Sequence, residues 1–176
     1  MSSFNKKIFL LAGLLVLVGC NTMKPEQFEG TEPAFDLFGF FEGNVSAWGI
    51  FEDRFGNLRR QFTVDIDGVV DGDELTLDEN FIYADGEVDR RVWKIRRTAP
   101  HKYEGRADDI VGEASGVMYG NAFNWIYEMD LQVGESTWRV KFDDWLFRQP
   151  GDVVINKATV TRWGVKIGTV TLFFKK

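Results

Sequence analysis

The 176-residue chain has one cysteine, one histidine and four prolines, and each scarcity removes a class of protein. A single cysteine, Cys20, excludes any disulfide within the monomer, although an oxidising compartment would permit them. With His101 as the only histidine, a serine triad or a zinc site built on histidine lacks material. No glycine-rich phosphate loop is present. The acid pairs Asp65/Asp67 and Asp71/Asp73 invite a calcium reading. An EF-hand loop begun at Asp65 would need an oxygen ligand at its fifth position and glycine at its sixth, and Val69 and Val70 stand there. These acids read as turn residues. The adjacent pairs Asp108-Asp109 and Asp143-Asp144 could form acid–base couples, but neighbouring strand residues point to opposite faces. No metal or cofactor is expected. Basic excess is missing too: the formal charge is −6, and it becomes more negative once Lys6 and Lys7 are lost with the leader. A nucleic-acid partner is therefore not expected.

The one long apolar run lies at the start. Lys6 and Lys7 precede Ile8–Val18, which is too short for a hydrocarbon core that needs about 20 apolar residues. This is the layout of a secretory signal, residues 1–19. Leu17-Val18-Gly19-Cys20 resembles the lipobox of bacterial lipoproteins, which implies lipid on the Cys20 thiol and cleavage before it. Two or more acyl chains make such attachment lasting, whereas one binds marginally. Asn21 follows, where aspartate would be the signal for inner-membrane retention. The expected address is the cell envelope, lipid-anchored in the outer membrane and facing the periplasm. Residues 20–35 read as a lipidated N-terminus and tether, and 36–176 as one domain.

A short helical piece is expected over 36–41, where Phe38, Phe40 and Phe41 could plug one end of a core. After Gly43 no helical stretch of ten residues is apparent, and period-two alternation takes over. Phe123, Trp125, Tyr127, Met129 and Leu131 alternate with polar residues, as do Trp138, Val140, Phe142 and Leu146. Leu58, Phe62, Val64 and Ile66 form another set, Leu75, Leu77, Phe81 and Tyr83 a fourth, and 169–174 a last. Turn signals such as Asp71-Gly72-Asp73, Asp85-Gly86 and Pro150-Gly151-Asp152 separate them. The pattern predicts an all-β fold: a single antiparallel up-and-down barrel of about eight to ten strands, lipocalin-like, since closure removes sticky edges. A membrane-spanning barrel is disfavoured by mid-strand charges on the outer faces, among them Arg59, Asp65, Lys141 and Asp143. Lysine or arginine facing lipid near the bilayer centre costs about 2–4 kcal/mol.

One hairpin can be aligned from sequence. A three-residue loop Ala84-Asp85-Gly86, with Gly86 left-handed, pairs Tyr83 with Glu87, Leu77 with Trp93 and Leu75 with Ile95. It also sets Glu79 opposite Arg91 on the inward face, as an expected ion pair. Arg60 and Asp144 fall in phase with apolar neighbours as well. The four would form a polar patch in an aromatic interior, so Arg60, Glu79, Arg91 and Asp144, with Trp93, Trp125 and Tyr127, are the candidate ligand contacts. The same pattern also suits a filled barrel with internal salt bridges. Core packing is the expected role of the strand tryptophans Trp48, Trp93, Trp125, Trp138 and Trp145. Trp145 and Trp163 are the two expected nearest a surface or cavity mouth.

Trp48–Arg54, Leu77–Phe81, Asp85–Glu87, Arg90–Trp93, Gly120–Trp125, Phe142–Trp145 and Ile155–Thr159 together resemble a proteobacterial lipoprotein family known as a domain of unknown function. The resemblance implies a calycin-type barrel, carries no established activity, and through genes commonly found beside fatty-acid-modifying enzymes points toward lipids. Three functions are expected in descending order. The first is an anchored barrel binding a small apolar or amphipathic molecule such as a fatty acid, its carboxylate meeting Arg91 or Arg60. The second is a structural or assembly-partner lipoprotein with a solid barrel. The third is a cofactor-free lipid-modifying enzyme.

Overall fold

The computed structural model describes residues 23–176; the expected leader and the expected lipidation site Cys20 lie outside the described residues. From Gly43 onward the described chain is strand and turn. The first four strands are β1 (Gly43–Asp53), β2 (Leu58–Asp71), β3 (Glu74–Tyr83) and β4 (Val88–Ala99). They are followed by β5 (Lys102–Arg106), β6 (Ala114–Tyr119) and β7 (Ala122–Val133). The set ends with β8 (Ser136–Gln149), β9 (Val153–Arg162) and β10 (Val165–Lys175). Each strand pairs antiparallel with the next, and β10 pairs back onto β1, closing a ten-stranded up-and-down barrel. Closure leaves the wall without an open edge to recruit another chain.

The β3–β4 hairpin adopts the expected register. Gly86 has φ 89° and the Tyr83 amide donates to the Glu87 carbonyl at 2.9 Å. Leu77 faces Trp93, Leu75 faces Ile95 and Glu79 faces Arg91.

The two ends of the barrel differ. At one end lies α1 (Leu37–Phe41), whose four apolar side chains, Leu37, Phe38, Phe40 and Phe41, are buried. Five residues containing Gly39 and three phenylalanines would not hold a helix alone. Asp36 caps it, Oδ1 accepting from the Gly39 amide at 3.1 Å, and Lys176 Nζ donates to the Gly39 carbonyl at 2.7 Å. The main hold is burial, at about 1.5–3 kcal/mol for each large apolar side chain. Phe41 meets Phe174 edge-on at 5.5 Å, and Phe38 lies 6.1 Å from Tyr103. The fit is close: a methyl group on Gly68 of β2 would overlap the Phe41 carbonyl. The opposite end, where β1 turns into β2, β3 into β4 and β7 into β8, has no such plug among the described residues.

The segment expected to act as a tether contacts the barrel wall. Pro25–Phe28 forms a 3-10 turn, and the Phe28 ring lies 5.9 Å from Trp145 and 5.6 Å from Phe147 on the outer face. Thr31 Oγ1 donates to Asn121 Oδ1 at 2.8 Å and accepts from the Asn121 amide at 3.0 Å. The Phe35 amide donates to the Gly120 carbonyl at 2.8 Å, and Phe35 is buried against Phe40 and Phe123. The folded unit thus reaches back beyond residue 36.

The tryptophans divide between the two faces. Trp93 and Trp125 are buried in the core, whereas Trp48 points outward, 49% exposed beside Phe173. On β1 the inward positions beside Trp48 belong to Ala47 and Gly49, because the Phe62 ring occupies the space that a Gly49 side chain would need. Trp145 is outward under Phe28, and Trp163 is 87% exposed in the β9–β10 turn. Trp138 is partly buried against the core, with the Arg162 guanidinium 4.1 Å above its ring.

Candidate functional site

The inward side chains leave a cavity of about 480 Å³ in the lumen, within the range of small-molecule sites. The plug forms its floor: Leu37 and Phe41, with Leu77, Ile95, Phe123, Leu146 and Phe174 above them. Its upper wall is aromatic and aliphatic, including Phe51, Phe62, Phe81, Tyr83, Phe142 and Leu131. All seven candidate contacts, Arg60, Glu79, Arg91, Trp93, Trp125, Tyr127 and Asp144, line the cavity.

Two strand glycines make room for the aromatic interior. A side chain at Gly105 of β5 would come within 2.8 Å of the Trp125 ring, and one at Gly116 of β6 within 2.6 Å of both Phe123 and Trp125. Trp125 therefore leans into the lumen beside Trp93, 5.6 Å away, and Trp93 meets Tyr127 edge-on at 5.3 Å. Tyr127 in turn stacks on Phe142, its cross-strand partner, at 5.0 Å.

Between floor and rim, Glu79 on β3, Arg91 on β4, Tyr127 on β7 and Asp144 on β8 form a polar belt. The expected Glu79–Arg91 ion pair does not form, although the two residues are directly opposite. Arg91 instead grips Asp109 in the loop between β5 and β6: Nε donates to Oδ2 at 2.9 Å and Oδ1 at 3.1 Å, and Nη2 donates to Oδ2 at 2.7 Å. The guanidinium fork favours a planar two-point partner, and a carboxylate still one-third exposed loses less hydration than one inside the wall. In the sequence Asp109 stands out only as half of an adjacent acid couple. The signal for its role is Ile110, the next residue in the loop, which is buried and bridges to Met129, drawing Asp109 toward the lumen.

Arg60 also departs from expectation. It does not join Asp144 but sits at the rim, its guanidinium 3.6 Å above the Tyr83 ring and its Nη2 on Glu87 at 2.7 Å and Asp85 at 3.3 Å. The polar patch is therefore two groups, a belt at mid-depth and an arginine at the mouth. Among the described residues no three His, Cys, Asp or Glu side chains are grouped to hold a metal ion.

Burial dominates the electrostatics of the belt. It raises the Glu79 carboxyl to about 7, with Arg91 opposing the shift and Asp109 and Asp78 adding to it. It raises Asp144 to about 7 as well, against the Tyr127 hydroxyl and Arg91 and with Asp143 and Glu79. What surface these acids keep faces the lumen. Burial also lifts Tyr127 well above its ordinary range. Burial opposes the charge on Arg91, but Tyr127, Glu79 and the bonded Asp109 outweigh it, so Arg91 stays cationic.

These displaced equilibria carry a stability consequence. Between the ordinary carboxyl range and about pH 7 the folded chain holds protons on Glu79 and Asp144 that the unfolded chain has released, so stability falls as pH rises through that window. Asp78 and Asp130, kept low by their hydrogen bonds to Arg90 and Arg139, titrate below it. Thermal melts are expected to show a higher midpoint near pH 5 than near pH 8. Each tenfold displacement of an acid equilibrium on folding contributes at most about 1.4 kcal/mol. The double variant Glu79→Gln/Asp144→Asn should flatten the profile. An unchanged slope in that variant would assign it to other groups.

A family model described as "Protein of unknown function (DUF3833)" matches residues 14–176. The chain belongs to that family. No curated protein matches the DUF3833 chain. Among solved structures it is similar to the S-type phycobiliprotein lyase CPES from Guillardia theta, at 10% sequence identity and a TM-score of 0.56. The likeness covers 78% of this chain and 87% of that one. At such identity what DUF3833 shares with the lyase is the lipocalin-like barrel, and the residues of the belt must be read on their own chemistry.

Proposed function

We propose that the chain is a lipid-anchored envelope protein whose barrel holds a small amphipathic molecule, with a fatty acid as the leading class. The supporting observation is the lumen, about 480 Å³ in volume, plugged by α1 at one end and without a plug at the other among the described residues. A cavity of that size argues against the solid-barrel alternative, in which the working surface would be external. The anchor reading rests on the leader and on Cys20, and the outer membrane on Asn21.

The site chemistry favours one orientation. A carboxylate at mid-depth would meet Glu79 and Asp144 and an arginine already neutralised by Asp109. At the rim it would meet Arg60, whose partners Asp85 and Glu87 are well exposed. Exposed pairs contribute at most about 1 kcal/mol, so an incoming carboxylate can displace them. The acid group then stays at the mouth and the chain runs down to the apolar floor.

Native mass spectrometry of the full chain, purified in mild detergent, should reveal a co-purified adduct of fatty-acid mass. A Cys20→Ser variant should lack acyl modification and shift in mass accordingly. An adduct-free barrel that also ignores added fatty acid would overturn the binding role. An unmodified wild-type Cys20 would overturn the anchor.

A further inference from the structure

The belt lies well below the rim. Glu79 is four residues along β3 from Tyr83, which at about 3.3 Å per residue and a tilt near 40° puts it roughly 10 Å down the barrel. Beneath it the cavity lining is apolar except for Asn156, down to Leu37 and Phe41. Within the belt the Tyr127 hydroxyl lies beside the Asp144 carboxyl, yet Asp144 Oδ1 is buried and has no hydrogen-bond partner among the described residues. The nearby cation is occupied, because Nε and Nη2 of Arg91 are both on Asp109. Two carboxyls thus face a cavity in which the neighbouring guanidinium is already engaged. A buried acceptor left unpaired costs about 1–3 kcal/mol, and more when it is charged. Ala158, directly across from Asp144 on β9, lines the same cavity with a side chain of one methyl group.

Taking the lumen as the ligand site proposed above, we infer that its ligand carries a hydrogen-bond donor, a hydroxyl or N–H, part-way along its apolar body, with Asp144 as the accepting residue. Three zones follow in register: an anionic or polar head at Arg60, a donor at the belt and an apolar end on the plug. A second carboxylate at the belt is excluded by the like charges it would meet. A plain saturated chain would fill the apolar zones but leave Asp144 Oδ1 unpaired. Near neutral pH both belt acids are partly protonated, and either form of Asp144 keeps an oxygen able to accept.

A competition between two ligands tests this. The full chain in mild detergent is offered an equimolar mixture of octadecanoic acid and its mid-chain hydroxylated analogue, and the two adducts are counted by native mass spectrometry. The expected result is about a tenfold excess of the hydroxylated adduct, equivalent to roughly 1.4 kcal/mol. Asp144→Leu should bring the ratio to about one while both acids still bind, and Asp144→Asn, which retains an acceptor oxygen, should keep a preference. Equal adducts on the wild type, or a preference untouched by Asp144→Leu, would overturn the donor requirement and leave fatty-acid binding standing. Binding of neither acid would overturn that reading and the inference with it. If Asp144→Leu fails to fold, the wild-type ratio and the asparagine variant still decide.

Discussion

Replacing Arg91 with leucine is expected to destabilise the barrel by about 2–3 kcal/mol in urea unfolding, with the loss recovered largely when Asp109 is neutralised as well. Breaking a buried ion pair from one side typically costs about 3–5 kcal/mol, because the abandoned charge stays desolvated. Asp109 keeps one-third of its side-chain surface, which places the expected value below that range. A double-mutant cycle identifies the true partner. Coupling between Arg91→Leu and Asp109→Asn should be on the order of 1–2 kcal/mol, reflecting the two-point grip at 2.7 and 2.9 Å. Coupling to Glu79→Gln should be smaller, since Glu79 affects Arg91 through space and not through a bond. A larger coupling to Glu79 would restore the ion pair anticipated from the hairpin register. The single variant should also free the β5–β6 loop, seen as faster amide exchange at Ile110 and Val111, whose backbone sits against β7.

The contrast between Glu79 and Asp109 shows what a linear sequence can and cannot convey. Register is a local matter, dictated by the Ala84-Asp85-Gly86 turn and by alternation on two adjacent strands, so the facing of Glu79 and Arg91 is readable directly. The partner that wins is set by how far an arginine reaches across a closed lumen to a loop 18 residues away. Closure itself is legible, because many half-polar strands with short turns have few other ways to hide their edges. The plug is legible too, from three phenylalanines just before the strands begin. The face of Trp48 is not, since a large aromatic normally marks the inward parity. Here Ala47 and Gly49 hold that parity, and only the position of Phe62 on the neighbouring strand explains it. The docking of Phe28 on Trp145 and Phe147 is hidden for a similar reason: a proline-bearing segment without periodicity gives no sign of the wall it will meet. Arg60 occupies the face its phase indicates but lies higher than the patch it was expected to join. Phase tells which side of a strand a residue occupies, and the distance to the rim requires the turns on both sides.

Filling the lumen gives the most direct test of whether it is the working part of the molecule. Ala158 on β9 is buried, lies opposite Asp144 and Val170, and contributes to the cavity wall at the level of the belt. Ala158→Phe would send a ring into open volume, where it meets the stacked Tyr127 and Phe142 instead of a close-packed core. Overpacking ordinarily costs about 1–3 kcal/mol, and the free space should hold this case to the lower end. Ligand capture, by contrast, should fall at least about tenfold, because a fatty chain cannot reach the floor past the new ring. The same ring would screen Asp144 from the lumen and raise its carboxyl further, so the fall in stability between about pH 5 and 8 should steepen. Adduct yield in native mass spectrometry and a pair of melts at the two pH values measure both effects on one variant. Unchanged adducts in a folded Ala158→Phe barrel would move the ligand out of the lumen, and the exposed outer-wall surface around Trp48 and Phe173 would become the place to look.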